Sequence, residues 1–331
     1  MKKRLVAAVI AVISTAVLGV ASAGAASAWK PVASMPHGRY QMAATEGIDG
    51  NVYVISGHRQ GTLPLYTEMY SPITKKWTQL AAPPNNNNPN APAAATGPDG
   101  KIYRIGGGSY APDGSSWSDT SIVDAYSPKA KTWAVKASMP TARGALAAVA
   151  GPDGLIYALG GLVYDPETSL GLSVNASETY NPTTNTWVSA PPMQQARSDF
   201  AAVIGPDSRV YVIGGEYDNY NTIGREVLSS VEAYSFTSHT WTYVAPLPMA
   251  DDIVGATIGA DGRIYAVGTN VYAYNVSTNI WTTLSAVPPP NPPNGYVDTV
   301  GPAVGMGSAH TLLLIENAEG NDKASAYTYA T

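Results

Sequence analysis

Three arginines recur at one place in this chain: Arg39, Arg143 and Arg197 each lie ten residues before an aspartate that precedes a glycine or serine, namely Asp49, Asp153 and Asp207. The same offset falls on Pro89 and Asp251, and near the C-terminal end on Asp298 or Thr299. A guanidinium offers a planar fork of donors that matches a carboxylate, so several of them gathered by a repeating structure predict a site for a sugar acid or another anion. The competing reading is that an arginine repeated in this way ties loop carbonyls of neighbouring repeats together.

Around this set stand other groups with chemical capacity. His37 and His58 bring imidazoles, and Glu216-Tyr217-Asp218-Asn219-Tyr220-Asn221 brings oxygens and rings. Tyr110, Trp117 and Tyr164 lie, like Tyr217, in long connections, where aromatic rings suit stacking on sugars or contact with a protein. The ligand-binding candidates are therefore Arg39, Arg143, Arg197, Asp251, His58, Tyr110, Tyr164, Glu216 and Tyr217. Two histidines without a third ligand at metal spacing do not predict a metal centre, and the Glu216 stretch lacks the spaced ligands of a calcium loop. His239 and His310 read as structural. There is no Ser/His/Asp order, phosphate-cradling glycine loop or carboxylate pair at glycosidase spacing, so neither a catalytic set nor a cofactor is expected.

The elements that must position these residues come from an internal repeat. One unit runs from Trp133 through Met139-Pro140, Arg143, Gly151-Pro152-Asp153-Gly154, Tyr157, Gly160-Gly161 and Tyr180 to Trp187. The same order leads from Trp29 to Trp77, from Trp77 to Trp133, from Trp187 to Trp241 and from Trp241 to Trp281. The turn aspartate precedes the first tyrosine by four residues in every unit, and the second tyrosine precedes the tryptophan by seven. Length changes are concentrated between the glycine pair and the second tyrosine. Each unit reads as four strands: a small-residue strand such as Ala145–Ala148, a β-branched and aromatic strand such as Val210–Ile213, a third ending at the second tyrosine, and a fourth carrying the tryptophan. Gly-Pro-Asp-Gly between the first two is a hairpin turn with glycine at the position of positive φ.

Together these marks resemble the kelch repeat, and the chain is similar to secreted bacterial-type kelch proteins and the galactose-oxidase central-domain-like superfamily. The resemblance implies an all-β, six-bladed propeller of four-stranded blades over residues 29–331. Departures are Ser56-Gly57 and Gly268-Thr269 in place of Gly-Gly, Asp207-Ser208 in place of Asp-Gly, and a degenerate last unit. Since seven residues beyond Tyr327 pass the last residue, the strand at Trp29 is expected to complete the sixth blade. Alternation of strand direction then puts the long connections on one face and the short turns on the other, and binding is expected at the loop-bearing face.

Residues 1–28 have a basic start, an apolar run and the small residues Ala26-Ser27-Ala28, which predicts a signal peptide cleaved before Trp29 and a secreted, extracellular or periplasmic protein without membrane insertion after cleavage. Cleavage leaves 16 basic against 24 acidic residues, a net charge of −8, which argues against nucleic acid as partner. With no cysteine, disulfides and thiolate sites are excluded, as is the tyrosine–cysteine cofactor of the copper-radical sugar oxidases that share this repeat. The expected function is a non-catalytic module, probing as a monomer for a protein or glycan. The alternative, by similarity of size, export and blade number, is a carbohydrate-active enzyme such as a sialic-acid mutarotase or epimerase with an arginine-lined channel mouth.

Overall fold

Each repeat folds from its tight turn outward. In the first blade Gly50 N–H closes on Gly47 O at 2.9 Å and Gly50 takes φ 73°, with Gly100, Gly154 and Gly262 at the same place and sign. Ser208 holds that conformation at φ 62° in blade 4, where it replaces the glycine. The turn aspartate accepts a hydrogen bond from the tyrosine hydroxyl four residues on, from Tyr157 to Asp153 at 2.6 Å and from Tyr265 to Asp261 at 3.0 Å, and likewise in the other three units. The tyrosine ring lies against the first glycine of the turn: a Cβ at Gly205 would stand 2.4 Å from Tyr211. This contact explains the invariant spacing of four.

The computed structural model of the protein describes residues 29–39, 41–57, 66–84, 89–110, 117–165, 167, 170–218, 225–253, 255–287, 300–306, 311–316 and 324–331. All regular elements among them are β-strands, arranged as six antiparallel four-stranded sheets and three two-stranded hairpins. Strands A to D of blade 1 are Ala43–Glu46, Val52–Ile55, Glu68–Ser71 and Lys76–Gln79. Blade 2 has Ala93–Thr96, Ile102–Ile105, Val123–Ser127 and Thr132–Val135, and blade 3 has Ala147–Ala150, Ile156–Leu159, Ser177–Asn181 and Thr186–Ala190. Blade 4 has Ala201–Ile204, Val210–Ile213, Val231–Ser235 and Thr240–Val244, and blade 5 has Gly255–Ile258, Ile264–Val267, Asn270–Asn275 and Ile280–Ala286. In blade 6, Val300–Met306, Thr311–Glu316 and Ala324–Ala330 are completed by the N-terminal strand Trp29–Met35, as expected. Trp29 pairs with Tyr329 in register, their rings 5.1 Å apart.

The protein is thus an all-β, six-bladed propeller. Strands A touch one another in a closed ring from blade 1 to blade 6 and back. Strand B is buried on both faces in blades 1 to 5, which is why it reads as an unbroken apolar run rather than an alternating one. On strands C and D the second tyrosine and the tryptophan are direct cross-strand partners, with ring centroids 4.8–5.3 Å apart. A turn between them ends on a left-handed residue, Lys75, Lys131, Asn185, His239 or Asn279, at φ 55–58°. The tryptophan also reaches across the seam: Nε1–H donates to a carbonyl of the preceding blade, from Trp77 to Ala33, Trp133 to Ala81, Trp187 to Ala137, Trp241 to Pro191 and Trp281 to Ala245.

Candidate functional site

At the loop-bearing end of each seam the second glycine of the pair donates its N–H to the carbonyl of the arginine-position residue of the next blade. The bonds run from Gly57 to Pro89, Gly107 to Arg143, Gly161 to Arg197 and Gly215 to Asp251, at 2.9–3.4 Å. A Cβ on Gly160 would lie 2.6 Å from Arg197 O, so the glycine pair is what allows the blades to close this far.

Arg39, Arg143 and Arg197 occupy the expected place, but each side chain is fully buried and turned along its own blade. Each pairs with an acid on strand C two residues before the second tyrosine: Arg39 with Glu68 at 2.7 Å, Arg143 with Glu178 at 2.6 Å and Arg197 with Glu232 at 3.0 Å. Further donors go to main-chain carbonyls, Tyr66 for Arg39, Gly160 and Ala158 for Arg143, Gly214 and Ser230 for Arg197. The geometry is that of a scaffold tie, and these three guanidinium groups do not line the mouth. The acidic partners carried a sequence signal, since an acid two before the tyrosine recurs inside strand C.

Where the repeat departs from its pattern, the departures compensate one another. In blade 2, Pro89 takes the arginine position, Asp124 takes the acid position, and Arg104 on strand B pairs with Asp124 while donating to the buried Ser56 hydroxyl at 3.1 Å. Ser56 is the residue that replaces the first glycine of blade 1. Burial pulls the Arg104 guanidinium below its ordinary range and pushes Asp124 up, and their mutual attraction offsets part of both. In blade 5 the polarity is reversed: Asp251, buried, accepts from Thr269 N–H and Oγ and from the Tyr272 hydroxyl at 2.8 Å. Tyr272 stands where the other blades carry the acid, and Thr269 where they carry the second glycine.

Two residues beyond the arginine position the chain turns into the channel through a left-handed residue: Gln41, Ala91, Ala145 and Asp199, at φ 48–53°. Their main chains are joined in series, Ala91 N–H to Gln41 O, Ala145 N–H to Ala91 O and Asp199 N–H to Ala145 O, at 2.8–3.0 Å. This collar frames the loop end of a central channel of about 880 Å³, walled by strands A and therefore largely by alanine.

Above the collar rise three hairpins, one from each B-to-C connection of blades 2, 3 and 4. They pair Gly108–Tyr110 with Trp117–Asp119, Leu162–Asp165 with Leu170–Ser173, and Glu216–Asp218 with Arg225–Val227. Each is rooted by a bridge to its own blade's D-to-A loop, Asn90 to Gly108, Gly144 to Leu162 and Ser198 to Glu216. They are also stitched to one another, Tyr164 N–H donating to Asp119 at 2.6 Å and Asp218 N–H to Ser173 Oγ at 3.0 Å. The result is a continuous wall over half the ring. In blade 5 the same connection is only Gly268 and Thr269 between strands B and C, and the wall stops.

The candidates distribute over this wall. Glu216, buried, forms an ion pair with Arg225 across its hairpin, and Arg225 also reaches Asp252 at 3.3 Å. Tyr164 and Tyr217 sit half-buried on their hairpins, and Tyr110 lies opposite Trp117 in the first. His58 lies outside the described residues. His37, on the same face, bonds Glu68 through Nδ1 at 2.9 Å and so joins the Arg39 tie. Sequence reasoning missed Asp199, Asp252 and Arg225, which have no counterpart in other repeats. Asp199 opens onto the channel yet is enclosed by the ring, and that enclosure, with the charges of Asp252 and Asp218, raises its carboxyl to about 6 against the pull of Arg225. Burial likewise pushes Asp218 and Asp252 upward. Among the described residues no group of three metal-ligating side chains forms, and no helix is long and apolar enough to cross a membrane.

Two kelch motifs match the chain, over residues 143–194 and 197–248. Kelch-like protein terF of Aspergillus terreus is 34% identical over 239 residues, which is 67% of this chain and 50% of the relative. Kelch-like protein 35 of Mus musculus is 28% identical over 284 residues, 84% of this chain and 44% of the relative. The chain thus spans about half the length of these curated relatives. Among solved structures, that of YjhT superposes with a TM-score of 0.68 at 18% identity, covering 90% of this chain and 95% of that one, a likeness of fold.

Proposed function

Because this chain is a kelch-repeat protein, we infer that it is an interaction module and that it binds a protein partner through the hairpin wall and channel mouth of its loop-bearing face. The observation that carries this reading is the wall itself: three consecutive blades raise hairpins on one face only, and side-chain bonds hold them in one continuous surface. The reading as a sugar-acid enzyme rested on arginines facing the mouth, and those arginines are committed to Glu68, Glu178 and Glu232. A protein surface therefore fits better than a small-anion pocket.

Export completes the proposal, with cleavage before Trp29 and action outside the cytoplasm. It is supported by the basic, apolar and small-residue order of the first 28 residues, which lie outside the described part, and by Trp29 opening a paired strand. N-terminal sequencing of exported protein should begin at Trp29, and a mature chain that retains the apolar run would refute export by cleavage. For the binding face, a photo-crosslinking side chain placed at Leu170, 47% exposed on the wall, is compared with one at Ile73, 88% exposed in the C-to-D turn of blade 1 on the opposite face. The partner purified from the extracellular fraction should crosslink from Leu170 and not from Ile73. The reverse pattern would overturn the assignment.

A further inference from the structure

The wall ends at an unfinished edge. Arg225–Val227 is the last strand of the third hairpin and all three residues are exposed; among the described strands it pairs only with Glu216–Asp218. The other hairpins meet a neighbour on their corresponding side, whereas here the next blade has no hairpin to offer. Register shows which main-chain groups this edge presents. Leu228 N–H bonds Gly215 O at 2.7 Å while Leu228 O accepts from Asp251 N–H at 3.3 Å, and Tyr217 stands opposite Glu226, so the main-chain groups of Glu226 point into the hairpin. Those of Arg225 and Val227 point outward. The side chains of Arg225 and Val227 line the channel mouth, together with Asp199, Asp252 and Thr269.

Charge selects what a strand laid along this edge must carry. Asp199, Asp218, Asp252 and Glu216 gather about a single guanidinium, Arg225, which is already engaged by Glu216 and Asp252. The exposed Glu226 adds a further negative charge on the same strand. An anionic segment would be repelled here, and a neutral one would leave the carboxylates without counter-charge.

We propose that the outer edge of Arg225–Val227 takes an extended, basic segment of a partner protein as an added strand, its lysine or arginine side chains directed to Asp199 and Asp252 at the channel mouth. Main-chain hydrogen bonds to Arg225 and Val227 hold the segment, and alternate side chains read the acidic mouth. This deepens the reading of the loop face as a protein-binding surface and rests on it.

The probe is a capped seven-residue peptide alternating lysine with valine, titrated onto the full chain at low salt. It is run beside the same peptide with glutamate for lysine and one N-methylated at every internal residue, which blocks the edge-facing N–H groups in either strand direction. Binding of the lysine peptide should exceed that of the glutamate peptide by about tenfold or more, and N-methylation should weaken it by about tenfold, the loss expected for two or three main-chain hydrogen bonds. Val227→Pro removes an outward N–H and is tolerated on a strand edge, so it should cause a similar loss with little change in melting temperature. Asp199→Asn combined with Asp252→Asn should erase the preference for lysine. Equal binding of the two charge versions overturns the proposal, as does lysine-peptide binding indifferent to both N-methylation and Val227→Pro, which would indicate charge attraction without strand addition. A partner that crosslinks from Leu170 but is unaffected by Val227→Pro defeats this inference alone, whereas one that crosslinks only from Ile73 defeats the reading of the face as well.

Discussion

At the loop end of the seams, the repeated arginines are held in place by buried acidic partners. Replacing Arg143 with Ala strands the Glu178 carboxylate in a buried seam, and breaking a buried ion pair by removing one partner costs about 3–5 kcal/mol. Urea unfolding should report that loss, while the double replacement Arg143→Met with Glu178→Leu should recover most of it. Asp199 makes a prediction with a definite sign. Its folded carboxyl titrates at about 6, above the usual 3.8, so the folded chain holds the proton more tightly and the stability this provides is lost as pH rises from about 4 to 6. Asp199→Asn should therefore raise the melting temperature at pH 7 and have little effect at pH 4; an equal change at both would show that enclosure in the ring does not hold this carboxyl above its ordinary range. The position of the arginines was legible from their offset to the turn aspartate, but not their direction. Direction depended on Glu68, Glu178 and Glu232, which an offset counted from the turn does not reach. Asp199 and Arg225 could not be read at all, because their proximity is made by two separate loops of blade 4 that are distant in sequence.

At the level of the element, fixed spacings proved to be contacts and variable ones proved to hold surface hairpins. The interval of four from turn aspartate to tyrosine is a hydroxyl–carboxylate bond over a glycine with no room for a methyl group, so Gly205→Ala should destabilise by about 1–3 kcal/mol, the range for overpacking. Ser208→Gly should act oppositely. A serine at φ 62° carries the left-handed cost of an L-residue, and glycine relieves it at the expense of chain entropy, leaving a gain of about 0.5–1 kcal/mol in thermal or denaturant unfolding. The interval of seven from tyrosine to tryptophan is a cross-strand pair around a turn whose last residue is again left-handed. By contrast, the longer intervals after the glycine pairs of blades 2 to 4 contain the hairpins, and their strands were not visible in sequences such as Gly108–Tyr110 because three residues carry no periodicity.

For the molecule as a whole, closure through the N-terminal strand was legible, since the last unit lacked a fourth strand and Trp29 began one without its blade. Deleting residues 29–34 should lower the melting temperature far more than shortening the 85–88 connection, which spares Pro89 and Asn90, because the deletion removes a paired strand and a buried tryptophan worth about 3–5 kcal/mol. Equal melting temperatures would contradict a ring that depends on this clasp. The register of the clasp also determines how the protein bears force. Trp29 lies opposite Tyr329 and Met35 opposite Ala324, so the chain enters and leaves the sixth blade at the same end of one antiparallel pair. Tension between a tether before Trp29 and another beyond Thr331 would peel this pair open one rung at a time, where a shearing geometry would load every rung together. The clasp that secures the ring against heat is therefore its weakest joint under a pull on its ends, and the propeller is mechanically soft along the axis by which its own chain is connected.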